Sequence, residues 1–220
     1  MNLTKSIIGL LLLIACNDKT KSTNSNLPIT NSLYIDTSNI SGSGGQKYEE
    51  FTICNFDEFL NYKNTPQLAK LIYLDKDWNL NRDNEALALL DSLNSKTHTS
   101  RVFYFRVVTN TYKKADGYFS EALGLAGKEF VEKNTSEFAS FFNNQECFSR
   151  KDLETWADIV LLDFQIEQDN VETTKDEHLI YGYCRKLKKQ SLTFSKIQQE
   201  TIADFTIILE KKWGDFLKNI

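Results

Sequence analysis

The sequence predicts an all-α domain, an antiparallel array or bundle of about seven helices behind a flexible N-terminal tether. Three observations carry this. From residue 55 onward apolar residues recur at steps of three and four, as in Leu153, Trp156, Ala157, Val160, Leu161 and Phe164, the spacing of a helix face turned toward a core. Only two prolines, Pro28 and Pro66, occur in 220 residues, so few helices meet an obligatory break. Helix-capping residues stand just ahead of several apolar stripes. Hydrophobic residues make up 41% of the chain, with 15 Phe and 9 Tyr, enough to fill a core.

The first element is not part of that domain. Lys5 supplies a positive start, and Ile7 through Ala15 form an apolar stretch. A membrane-spanning helix needs about 20 such residues, so the run has the length of a signal-peptide core, and residues 1–15 are set apart as a signal peptide. Leu13-Ile14-Ala15-Cys16 resembles the lipobox of bacterial lipoproteins. The resemblance covers this segment alone and implies that the Cys16 thiol takes a diacylglycerol through a thioether. Cleavage before Cys16 would then free an amine for a further, palmitate-type acyl chain. It also implies a place in the bacterial cell envelope, with the membrane as partner through the anchor. The alternative is an ordinary secretory peptide with Ala15 at the cleavage site. Residues 16–47, rich in Asn, Ser, Thr and Gly, read as the lipidated cysteine and a flexible tether with a reach of roughly 30 Å. The helical domain is expected over 48–220.

Within it, Phe56, Phe59 and Leu60 make a short amphipathic turn. Thr65-Pro66 reads as N-cap and first helical residue before Leu68, Leu71 and Ile72. Asn81 is placed to cap a helix carrying Ala86, Leu87, Leu90 and Leu93. Residues 101–109 (RVFYFRVVT) suit a buried strand by composition. The four-step row Tyr104, Val108, Tyr112 favours a helix covered on several sides, with the strand as the alternative. Phe119, Ala122, Leu123, Ala126 and Phe130 form the next face, interrupted by Gly124 and Gly127. Each glycine costs about 1 kcal/mol relative to Ala, a cost that close approach of a neighbouring helix would offset. Asn134 and Glu137 have capping-box spacing ahead of Phe138, Phe141 and Phe142, and Ser149 with Asp152 resembles the same device. Two further stripes complete the array: Ile180, Tyr183, Cys184, Leu187, then Ile197, Thr201, Phe205, Ile208, Leu209, Trp213, Phe216.

The chemistry-bearing residues are sparse. Asp75, Asp77, Asn79, Asn81 and Asp83 alternate between two helices like the oxygen ligands of an EF-hand loop. However, Leu80 stands where the turn needs Gly, and Ala86 where a closing Glu is required. A solvated loop that caps its neighbours is the competing reading. His98 and His178 are the only histidines, too few for a His-rich zinc site, and His178 and Cys184 fall on different helix faces. Besides Cys16 the chain has Cys54, Cys147 and Cys184; three allow at most one internal bridge, and buried free thiols are the favoured reading. Arg185-Lys-Leu-Lys-Lys189 is a basic run at a helix end, following the acidic Glu167, Asp169, Glu172, Asp176 and Glu177; ordinary helix-end charge explains both.

The whole chain carries 26 basic against 30 acidic residues, a net charge of −4, and losing Lys5 with the leader makes it more acidic. A nucleic-acid partner needs a basic stripe and is not expected. No catalytic, cofactor or metal constellation emerges, so Cys16 is the one site residue assigned, as the point of lipid attachment. The expected function is a membrane-anchored, non-enzymatic envelope lipoprotein that binds a protein partner or acts as a scaffold. An envelope hydrolase whose carboxylates converge only in three dimensions is the alternative, as is a calcium-responsive module.

Overall fold

The computed structural model describes residues 56–80, 83–94, 98–143, 147–169 and 178–220. All belong to a unit spanning Gln46–Ile220; a separate unit, Met1–Gly45, contains residues 1–15, expected as a signal peptide, Cys16 and most of the expected tether, all outside the described residues. Among the described residues the fold is all-α, with no strand. The helices are α1 (Asp57–Asn61), α2 (Gln67–Tyr73), α3 (Asp83–Asp91), α4 (His98–Thr111), α5 (Gly117–Lys133), α6 (Thr135–Phe141), α7 (Arg150–Asp169), α8 (His178–Ser191) and α9 (Lys196–Asn219), with 3-10 turns at Ser92–Asn94 and Tyr112–Lys114. Three of these helices, α1, α2 and α6, have 5, 7 and 7 residues, which is why a count of full-length stripes comes out lower.

α7 is the organising helix. It packs against α5 on one side and α9 on the other, and α8 closes back on α9. Gly124 meets Leu162, Gly127 meets Ile159 and Phe130 meets Trp156, so numbers rise along α5 as they fall along α7: the pair is antiparallel. Arg150 reaches Asp204 and Lys212 reaches Asp158, so α7 and α9 run parallel with α8 returning between them. The two glycines lie where α5 and α7 cross. A Cβ on Gly124 would stand 2.7 Å from the Asp163 backbone nitrogen, and one on Gly127 would overlap the Ile159 Cγ2 methyl. Absence of side chains there lets the helices approach.

Residues 101–109 are helical, inside α4, and the reason is coverage. Val102, Phe103, Phe105, Val107, Val108, Thr109 and Thr111 are all buried, more of the circumference than one sheet-facing side could supply. Phe105 stacks on Trp156 at 4.2 Å between ring centroids and 1° between planes. Phe130, Phe138, Phe141, Phe142 and Phe148 surround Phe105. Each such aromatic pair contributes about 0.5–1.5 kcal/mol beyond its buried area. The Trp156 indole N–H donates to Thr109 Oγ1 at 2.8 Å, which satisfies a polar atom the core would otherwise penalise.

The caps divide. Ser149 and Asp152 form the expected reciprocal pair: Ser149 N–H donates to Asp152 Oδ2 at 2.7 Å and Asp152 N–H to Ser149 Oγ at 3.3 Å. Asn134 makes no side-chain cap, because it ends α5 as it starts α6, its N–H donating to Phe130 O. Glu137 turns instead to Arg101. α2 begins one residue later than expected, with Pro66 at the cap position. Ile197, read as a core position of α9, is 54% exposed, and the buried stripe starts at Gln198 and Ile202. Asn81 lies outside the described residues.

Candidate functional site

The Asp75–Leu80 loop is built by helix termination. Asp75 has a left-handed backbone (φ +50), a conformation Asp tolerates better than most side chains. Its N–H reaches Ile72 O at 3.2 Å while Lys76 N–H reaches Leu71 O at 3.0 Å, the double bond pattern that ends a helix on a left-handed residue. The loop is then stapled from the turn after α4. Lys113 pairs with the Asp75 carboxylate, and its hydrogen bond and charge hold that carboxyl below the usual range. Lys114 donates to Trp78 O at 2.8 Å and lies 4.2 Å from the Trp78 ring centroid. Two ammonium groups thus stand against the loop where a calcium reading would place a divalent ion, and Asp77 points to solvent. The Asp75 carboxylate is taken by a lysine, and the expected helix cap, Asn81, lies outside the described residues. Among the described residues no group of three or more His, Cys, Asp or Glu side chains is placed to hold a metal.

A polar cluster lies at the α5–α7 crossing. Lys128 Nζ lies 2.5 Å from Asp163 Oδ2, 2.6 Å from Glu167 Oε1 and 4.5 Å from the centroid of Phe164. Burial pulls the ammonium pKa down, but the Asp163 and Glu167 hydrogen bonds and charges outweigh it and raise it. Tyr183 caps the cluster by donating its hydroxyl to Lys128 O at 3.3 Å, and burial drives its phenol well above the ordinary value. One ammonium faces two carboxylates here, and its raised pKa keeps it charged, so the cluster offers no neutral amine nucleophile.

The two described cysteines are not poised as nucleophiles. Cys184 is free and fully buried, and its thiol contacts Thr206 O at 4.0 Å. Burial, with the Glu210 carboxylate nearby, pushes its pKa up to about 12, so almost no thiolate exists at neutral pH. Cys147, by contrast, is disulfide-bonded. That corrects the expectation of free thiols throughout: the odd count leaves one thiol over but does not prevent a bridge. Cys54 lies outside the described residues, as do Glu172, Asp176, Glu177 and the side chains of Asp83, His98, Asp169 and His178. Glu167 is the member of the acidic run that the structure places, on Lys128.

A depression of about 600 Å³ opens where the α1–α2 connection crosses the start of α4, lined by Glu58, Phe59, Tyr62, Thr65, Ser100 and Tyr104 among others. Among the described residues its wall holds a single carboxylate, Glu58. A hydrolytic pair needs two acid–base groups flanking the scissile bond, and the described part of this wall supplies one.

The basic run of α8 is partly absorbed into the fold. Leu187 is buried, Lys186 pairs with Glu132, and Lys188 lies 3.0 Å from Glu210. Arg185 and Lys189 project outward and make no ion pair among the described residues. No described helix is long and apolar enough to cross a membrane. No family model matches this chain, and no curated protein or solved structure proves significantly similar to it.

Proposed function

We propose that the chain is a cell-envelope lipoprotein, held to a membrane by acyl chains on Cys16, whose helical domain acts by binding a protein partner and not by catalysis. The observation that carries it is Leu13-Ile14-Ala15-Cys16 directly after the apolar run Ile7–Ala15. A thiol at that place is the nucleophile that thioether acylation requires, and two or three chains at about 0.8 kcal/mol per buried methylene hold a protein far more firmly than one. The Cys147 disulfide supports an oxidising compartment, since structural bridges are rare in the cytosol. The Lys128 ammonium, held charged between Asp163 and Glu167, together with the inert Cys184, supports a binding role over a catalytic one.

The test is membrane partition in a bacterial host. The parent is expected in the membrane fraction and in the detergent phase of a cloud-point separation. Cys16→Ser should lose its detergent partition once processed or remain as uncleaved precursor. If the variant is processed and partitions as the parent does, the anchor is not Cys16.

A further inference from the structure

We propose that the α8–α9 turn is a second membrane contact, a basic and apolar tip that docks on anionic phospholipid headgroups. The inference rests on the lipid-anchor reading above, which brings the domain within reach of a bilayer. Its basis is local and distinct from that reading. From residue 178 to residue 199 the chain contains no Asp or Glu, yet it carries Arg185, Lys186, Lys188, Lys189 and Lys196, in a protein of net charge −4. The acids that approach from other elements are already engaged: Glu132 of α5 by Lys186, and Glu210 of α9 by Lys188. Glu200 lies 3.8 Å from Lys196, but both are largely exposed, a pairing that water screens almost completely.

At the tip of this cationic hairpin two aliphatic side chains face solvent, Leu192 at 71% and Ile197 at 54% exposure. They are held there. Ser195 and Gln198 form a capping box, with Ser195 N–H donating to Gln198 Oε1 at 3.1 Å and Gln198 N–H to Ser195 Oγ at 3.4 Å. Gln199 Nε2 donates to Phe194 O at 2.9 Å, and Phe194 N–H to Ser191 O at 2.9 Å. A turn fixed in this way exposes its apolar residues without an ordering cost on contact. On α8, Tyr181, Arg185, Lys188 and Leu192 fall at steps of four, three and four, a single outward seam. Toward the turn it passes from Arg185, which makes no ion pair among the described residues, to an aliphatic tip, the order that suits headgroups over acyl chains. An acyl anchor on a short tether confines the domain near the surface, so a contact too weak to hold alone is populated.

The test uses the full lipidated protein on vesicles of phosphatidylcholine, with and without phosphatidylglycerol. Trp78, Trp156 and Trp213 are buried, so a Leu192→Trp substitution introduces the one surface indole. Vesicle flotation reads the anchor and quenching by brominated acyl chains reads the tip. The expected result is flotation on both lipids, with quenching only where phosphatidylglycerol is present. Arg185→Glu and Lys189→Glu should each weaken the contact about fivefold or more, since a cation near an anionic leaflet is worth about that factor. Flotation without quenching overturns the tip contact alone. Equal quenching on both lipids overturns its anionic specificity. No flotation on either overturns the anchor, and this contact with it.

Discussion

Beyond Gly117, which opens α5, the four glycines inside α5, α8 and α9 divide into two classes that respond oppositely to the same added methyl. At Gly182 and Gly214 a Cβ meets nothing within 4 Å, so alanine keeps only its advantage in helix propensity, about 1 kcal/mol. At Gly124 the same methyl stands 2.7 Å from backbone, the Asp163 nitrogen, and 2.9 Å from Leu162 Cβ, where ordinary contact begins near 3.4 Å. Neither atom can rotate away, so α5 and α7 must separate. Overpacking of this kind costs about 1–3 kcal/mol, which exceeds the propensity gain. Gly127 meets the Ile159 Cγ2 methyl, a β-branched side chain with one favoured rotamer in a helix, so relief there is also limited. Gly124→Ala is therefore expected to lower unfolding free energy by up to about 2 kcal/mol and Gly127→Ala by up to about 1 kcal/mol, net of propensity. Gly182→Ala and Gly214→Ala are expected to raise it by about 0.5–1 kcal/mol each. Urea titration followed by far-UV circular dichroism, under non-reducing conditions, measures all four. If Gly124→Ala stabilises as Gly182→Ala does, the close α5–α7 crossing is wrong.

Further predictions concern charge and sulfur. Glu137, 4% exposed, faces Arg101, and removing one partner of a buried pair leaves the other uncompensated; Glu137→Ala is expected to cost about 3 kcal/mol in urea unfolding, against under about 0.5 kcal/mol for Lys133→Ala at the exposed Lys133–Glu129 pair. The folded pKa values of Lys128, Tyr183 and Cys184 are all raised. Their stabilising contribution is then complete below the unfolded pKa of each group and is lost as pH climbs through the folded one. Thermal melts should fall on the alkaline side, above about pH 9–10, and Lys128→Met should flatten the lysine's part of that fall. Cys184 is expected to resist alkylation by iodoacetamide at neutral pH and to react once urea unfolds the chain; prompt native labelling would contradict its burial. If Cys16 carries lipid as proposed, and with Cys184 free, Cys54 is the expected bridge partner of Cys147. Non-reducing peptide mapping should join those two peptides, and a Cys16–Cys147 link would overturn the lipid assignment.

Local signals were legible in the sequence and remote ones were not. The α7 stripe, the enclosed α4 and the tight crossing at Gly124 and Gly127 could be read because periodicity and a glycine's cost are properties of one segment. Ser149 and Asp152 cap α7 for the same reason. The Ser195–Gln198 box of α9 had an equally local signature, serine followed three residues later by glutamine, and could have been found. Asn134 and Glu137 carry a similar signature but do not form a box, since Arg101, distant in sequence, competes for Glu137. The staple of Lys113 and Lys114 on the Asp75 loop, and the Lys128 cluster across α5 and α7, join residues more than thirty positions apart. No pattern in one segment encodes such a pair. Ile197 misled because the α9 stripe begins one residue later, which moves that side chain from the core to the tip of a basic hairpin.

The most direct test of the central claim is intact-mass and N-terminal peptide analysis of the mature chain extracted from membranes. A chain that begins at Cys16 and carries a diacylglyceryl thioether, with or without an amide-linked acyl group, is the expected result. A chain with an unmodified Cys16, or one whose N-terminus lies elsewhere, would contradict it.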